Sequence, residues 1–181
     1  MLLSRKVTLD CKFLQIFIPT DLQVSQDLCE IVRRNASLKV GEITLADLAL
    51  DASCCHGIYF FLQEENGQKE ILYIGSCVSR TIGERLTSHM EPSASGLLNC
   101  FLRRLSGISD KTSASAKDAD NQVADKLPDF LDMYFVFLPV QGDAGYIRAL
   151  EQTLIKSAAP QYNQKPRKPF DEIKTVYLRQ I

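Results

Sequence analysis

Hydrophobic spacing changes character near residue 57. Before that point, Phe13–Ile18 is a short apolar run stopped by Pro19, which predicts a strand. Leu28, Ile31 and Val32 fall on one helical stripe that ends around Asn35. Thr44-x-x-Asp47, just ahead of Leu48, predicts a capped start to another short helix. Residues 1–52 read as a separate N-terminal extension without grouped acids, histidines or a glycine-rich loop.

From residue 57 the runs become aromatic and β-branched. Gly57–Leu62 and Glu70–Gly75 flank Glu64-Glu65-Asn66-Gly67-Gln68, and Asn-Gly between two such runs predicts a hairpin. Ile82, Leu86 and Met90 then mark a helix over 79–90. Leu97, Leu98, Phe101, Leu102 and Leu105 mark a second over 95–105. Ser109–Asp125 has almost no bulky apolar residue and reads as a long loop, so 109–127 is an expected insertion or flexible loop. Met133–Val140 is a third strand. Asp143 caps a helix running to about Ala158, closed by Pro160, and Ile173–Leu178 forms a small extra strand. Hairpin, helices, strand and helix in that order predict an α+β fold with a largely antiparallel three-stranded sheet. The expected divisions are 1–52, 53–164 and a basic tail over 165–181.

Composition narrows the function classes. A chain of 181 residues, 45% hydrophobic and 24% charged, builds one domain with a real core. Its net charge of -1 leaves nucleic-acid binding to a local basic patch. Arg103 and Arg104 supply one, and Lys165, Arg167 and Lys168 a second; a solvated surface accounts for both equally well. No apolar run reaches the length of a membrane span. The six cysteines form no Cys-x-x-Cys pair and there are only two histidines, which disfavours a structural zinc. Unpaired thiols suit a reducing, cytoplasmic setting.

Two polar intrusions break the pattern of a bland core. Glu151 lies four residues from both Ile147 and Ile155, on the apolar stripe of the last helix. It is either a stripe-edge carboxylate reaching solvent or a metal ligand. Arg85 and His89 share a face of the helix after the hairpin. They are either a solvated face or a phosphate-binding guanidinium beside an imidazole that titrates near neutrality. His56, just ahead of the first strand, reads as a bystander.

Read literally, the hairpin carries Gly57-Ile58-Tyr59 in its first strand and Tyr73-Ile74-Gly75 in its second. That ordered pair resembles the motif that names the GIY-YIG endonuclease family. The spacing of fourteen from Tyr59 to Tyr73 fits a hairpin that sets both phenols on one side of the sheet. Further matches follow in order: Arg85 on the next helix, His89 one turn on, Glu151 on a later helix, and Asn163 in the loop after it. The resemblance covers roughly residues 56–164. One departure is Leu62, where some members carry a lysine near the first tyrosine; its proton-accepting part then falls to His89 or to a water on the metal.

The resemblance implies hydrolysis of a DNA phosphodiester with Mg²⁺ or Mn²⁺ as cofactor. Glu151 is then the metal ligand, and a lone carboxylate is adequate for an ion that keeps several waters. Tyr59 takes a proton from the attacking water and passes its own to His89, while Arg85 neutralises charge growing on the phosphate oxygens. Tyr73 orients the nucleophile or the phosphate, and Asn163 holds the site together. Gly75 ends its strand so that backbone can approach phosphate, or is a plain terminator. One such site cuts one strand, so a double-strand break needs a homodimer or sequential nicks. Two other readings stay open: a catalytically inactive DNA-binding or protein-interaction module on the same scaffold, and an unrelated α+β interaction protein, which separates Glu151 from Arg85.

Overall fold

A computed structural model of the protein describes residues 26–44, 47, 56–90, 101–107, 116–140 and 142–163. The strands expected at 13–18 and 173–178, residues 95–100 of the second expected helix, and Lys165, Arg167 and Lys168 lie outside them. Helix α1 spans Gln26–Asn35 and is followed by a 3₁₀ turn at Val40–Glu42. Strands β1 (Gly57–Glu65) and β2 (Gln68–Cys77) come next, then helices α2 (Ile82–Met90), α3 (Phe101–Leu105) and α4 (Ala116–Leu131). Strand β3 (Tyr134–Pro139) and helix α5 (Ala144–Ala158) follow. The described strands form one antiparallel sheet in the order β2-β1-β3. The fold is α+β, a small antiparallel sheet flanked by helices.

Asn66 and Gly67 close the hairpin, both in the left-handed region at φ of 53° and 75°. That pair of positive dihedrals is what a two-residue turn requires to match the twist of its strands. From the turn the ladder runs in step from Glu65–Gln68 to Leu62 opposite Ile71. Continued without interruption, it would set Tyr73 opposite Phe60 and so on the other face from Tyr59. Leu72 intervenes as an extra residue. Beyond it Phe61 pairs with Tyr73 and Tyr59 with Gly75. This β-bulge brings both phenols to one face, which corrects the expectation that hairpin spacing alone does so.

Each face of the sheet has its own core. Tyr59, Phe61, Tyr73 and Phe135 pack with Phe101 and Phe130 from α3 and α4, a layer dominated by rings; Phe61 and Phe101 stack at 4.9 Å between centroids. Ile58, Phe60, Leu62 and Ile74 face the opposite way, against Leu28 and Val32 of α1 and Ile147 and Leu154 of α5. The expectation of a separate N-terminal unit is corrected for its described part. Residues 28–36 complete the second core, and the next segment pairs with the outer edge of β3: Phe135 N–H donates to Leu38 O at 2.8 Å and Val40 N–H to Met133 O at 2.8 Å.

The second correction concerns the expected long loop. Residues 116–131 form a helix, α4, with Pro128 inside it. Val123 and Phe130, two turns apart, are its buried residues among positions 121–131, and the rest of that span faces solvent. A helix that buries so narrow a stripe needs few bulky residues, so counting them misread it. Among the described residues no helix is long and apolar enough to cross a membrane.

Candidate active site

Strand geometry sets the two phenols. Tyr59 on β1 leans over Gly75 of β2, where an added Cβ would meet the Tyr59 ring carbon and hydroxyl at 2.3 Å. Gly75 lies inside β2, which continues to Cys77, so its role is to seat Tyr59 and the strand-end reading is corrected. Gly57 answers a similar demand, since a Cβ there would meet Leu138 O at 2.3 Å. The Tyr59 and Tyr73 rings lie 6.2 Å apart. Only 3% and 6% of these residues are exposed, and burial pushes both phenols above their ordinary pKa, Tyr59 far above. The Arg104 guanidinium opposes that rise at Tyr73, and Arg85 opposes it at both.

Helix α2 opens on a reciprocal cap. Thr81 N–H donates to Glu84 Oε2 at 2.8 Å and Glu84 N–H to Thr81 Oγ1 at 3.2 Å. It carries Arg85 and His89 toward the phenols. His89 is buried with its Nε2 2.6 Å from Tyr59 Oη. On its other side Nδ1 accepts from the Phe101 N–H at 3.1 Å. A backbone N–H only donates, so Nδ1 presents a lone pair and the neutral ring carries its hydrogen on Nε2. His89 therefore donates to Tyr59. The expected role of His89 as acceptor of the tyrosine proton is corrected, the physical cause being the Phe101 amide. Arg85 contributes a different feature: its Nε is buried with no hydrogen-bond partner.

Helix α5 begins at Asp143, whose carboxylate accepts from Tyr146 N–H at 2.8 Å, and ends with Ala159 in the left-handed conformation. Its apolar stripe packs under the sheet, and Glu151 meets Ser76 of β2. There Ser76 Oγ donates to Glu151 Oε2 at 2.7 Å. Burial lifts the Glu151 pKa above the usual carboxylate value, opposed by the Ser76 hydrogen bond and by the Arg85 and Arg148 charges. The Glu151 charge in turn raises both phenols. Glu151, Arg85, Tyr59 and Tyr73 thus share one electrostatic neighbourhood, contrary to the reading that separates Glu151 from Arg85.

Two expected site residues make contacts within the scaffold. Asn163 Nδ2 donates to Ile74 O at 2.7 Å while its Oδ1 accepts from Ile74 N–H at 2.9 Å. Tyr162 N–H donates to Leu72 O at 3.0 Å. The segment after α5 is thereby latched to the free edge of β2, and the side chain of Asn163 is committed to it. Arg104, expected on DNA, donates to Tyr162 O at 2.8 Å and lies over the Tyr73 ring at 5.7 Å. Arg103, its neighbour on α3, is half-buried, His56 is exposed, and Leu62 is buried in the opposite core. Ser76 and the Phe101 amide were missed from the sequence. Ser76 directly follows Gly75, so strand parity was the one available signal for it; a backbone amide leaves none.

Among the described residues no three of His, Cys, Asp and Glu gather around one point. The oxygens available to a cation are the Glu151 carboxylate, with no ion pair to neutralise it among the described residues, and the Ser76 hydroxyl. Hard oxygen donors, a carboxylate among them, fit Mg²⁺ or Mn²⁺ and do not fit zinc. Surface hollows lined by Lys39, Glu64, Asn66 and Tyr134 lie at the turn end of the hairpin, away from these groups. Comparison with family models, with curated proteins and with solved structures returns no match for this chain.

Proposed function

We propose that this chain is a divalent-metal-dependent DNA endonuclease of the GIY-YIG type. The observation that carries the reading is the buried, unpartnered Arg85 Nε beside Glu151 and the two phenols. A buried donor without an acceptor is costly unless a ligand completes it, and here an anion seat adjoins a carboxylate able to hold a cation. A phosphodiester next to a divalent ion satisfies both.

In this mechanism Arg85 binds a non-bridging phosphate oxygen and offsets the charge that grows there during attack. Tyr59, which burial keeps a neutral phenol, accepts the His89 Nε2–H on Oη and orients the attacking water, whose proton passes to bulk solvent. Tyr73, 6.2 Å from Tyr59 between ring centres, orients the water or the phosphate. Glu151 would hold Mg²⁺ or Mn²⁺, which when bound would supply Lewis-acid stabilisation of the displaced oxygen. Asn163 is a positioning residue that fixes β2 beneath the site.

Nicking of supercoiled plasmid with Mg²⁺ or Mn²⁺ tests this. Wild-type protein nicks, and Arg85→Ala and Glu151→Ala each lose about 10² or more in rate. Undiminished cleavage by Glu151→Ala overturns the assignment. The burial of both phenols favours a second reading, a binding module that retains the scaffold without turnover. Its outcome in the same assay is DNA retained by the wild-type protein and left uncut. A double-strand break requires two copies or two successive nicks.

A further inference from the structure

We propose that Ser76 is a positioning residue that sets the Glu151 carboxylate for a divalent cation; this inference rests on the nuclease reading and deepens it. Strand β2 places Ser76 directly after Gly75 and opposite Ile58 of β1. Ile58 belongs to the core that faces α5, so the serine hydroxyl emerges on the side from which Glu151 arrives. Glu151 sits between Ile147 and Leu154, which are fully buried and fix the helix against the sheet, so the remaining freedom of the carboxylate lies in its own side-chain torsions.

One contact removes that freedom. Ser76 Oγ donates to Glu151 Oε2 at 2.7 Å, the length of a good hydroxyl–carboxylate bond. A hydroxyl has a single hydrogen. Spending it on Oε2 holds one carboxylate oxygen and leaves Oε1 free of that bond to meet a cation. Ser76 and Glu151 are both half-buried while Tyr59 and Tyr73 are enclosed, so a hydrated cation reaches the first pair from solvent. Outer partners that orient a ligating carboxylate are worth about 10- to 100-fold in metal affinity.

The experiment is a Mn²⁺ titration of the full chain, following free Mn²⁺ by electron paramagnetic resonance. Wild type, Glu151→Gln, Ser76→Ala and Ser76→Thr are compared, with folding checked by circular dichroism. Wild type is expected to bind, Glu151→Gln to lose binding, and Ser76→Ala to bind about tenfold more weakly or worse. Ser76→Thr, which keeps the hydroxyl, restores affinity. Should Ser76→Ala fail to fold, Ser76→Cys is read in its place, being close in shape and a weak donor. Wild-type affinity in Ser76→Ala, with Glu151→Gln still defective, overturns the role of Ser76 and leaves the nuclease reading standing. Equal losses in the alanine and threonine variants overturn it too, because the position would then sense shape and not the hydroxyl. A wild-type protein that neither binds Mn²⁺ nor nicks DNA removes both.

Discussion

Glu151 stands where a carboxylate is expensive. It leaves an apolar helix stripe, burial raises its pKa, and among the described residues no ion pair neutralises it. Because the folded chain holds that proton more tightly than the unfolded chain, the cost is absent below the ordinary carboxylate range and grows as pH rises through the raised value. Glu151→Gln is therefore expected to melt higher than wild type at neutral pH. The gain is on the order of 1 kcal/mol, about 2–4 °C for a chain of this length. Thermal scans from pH 3 to pH 8 check it: the two curves converge at the acid end and separate toward neutrality. On the proposed reading the same substitution would cost metal binding, the usual exchange of stability for function. At this scale the sequence was informative for Glu151, because a charge on a hydrophobic stripe interrupts a period, and for Arg85 only through its place in the ordered motif. It was silent on the direction of the His89 hydrogen bond, which depends on the Phe101 amide, a group every residue except proline carries.

Among the elements, the hairpin was visible in Asn66-Gly67 and its flanking runs, and α5 in Asp143 and its apolar stripe, since both follow from local chemistry. The bulge at Leu72 was not. A single inserted residue leaves no mark on composition or periodicity, yet it decides which face Tyr73 takes. Helix α4 was misread because most of its described side chains face solvent. The latch on β2 has a measurable signature. Ile74 N–H donates to Asn163 Oδ1, and Ile74 O accepts from Asn163 Nδ2. Asn163→Ala removes both bonds, at about 1 kcal/mol each. Hydrogen exchange at the Ile74 amide should accelerate in that variant, while amides facing β1, such as that of Tyr73, hold closer to wild type. Uniform acceleration along β2 would mean that Asn163 acts through global stability instead.

Taken whole, the molecule joins an aromatic layer and an aliphatic layer across one small sheet, and the candidate site draws on both. Phenols and imidazole come from the first; the acid comes from α5, which packs in the second, and is held by Ser76 of β2. This is why residues distant in sequence converge, and why one-dimensional spacing identified them without fixing their arrangement. The near-neutral net charge leaves DNA affinity to local groups, and Arg104 is already engaged with Tyr162. The remaining basic cluster is Lys165, Arg167 and Lys168. If these meet phosphates, replacing all three with glutamine weakens binding across sequences. It also flattens the dependence of log K on log salt by about 2–3, as binding isotherms at several salt concentrations would show. An unchanged slope places the contacts elsewhere.

Both flanks of the sheet are occupied from within: Leu38 and Val40 on β3, Tyr162 and Asn163 on β2. Among the described residues these contacts shorten the stretch of edge on which a foreign extended peptide could zip as a fourth strand, which guards against runaway stacking of copies. What stands half-buried between helix α5 and strand β2 is the Glu151 carboxylate with its serine, while both rings lie enclosed, so a visitor from solvent greets the acid first.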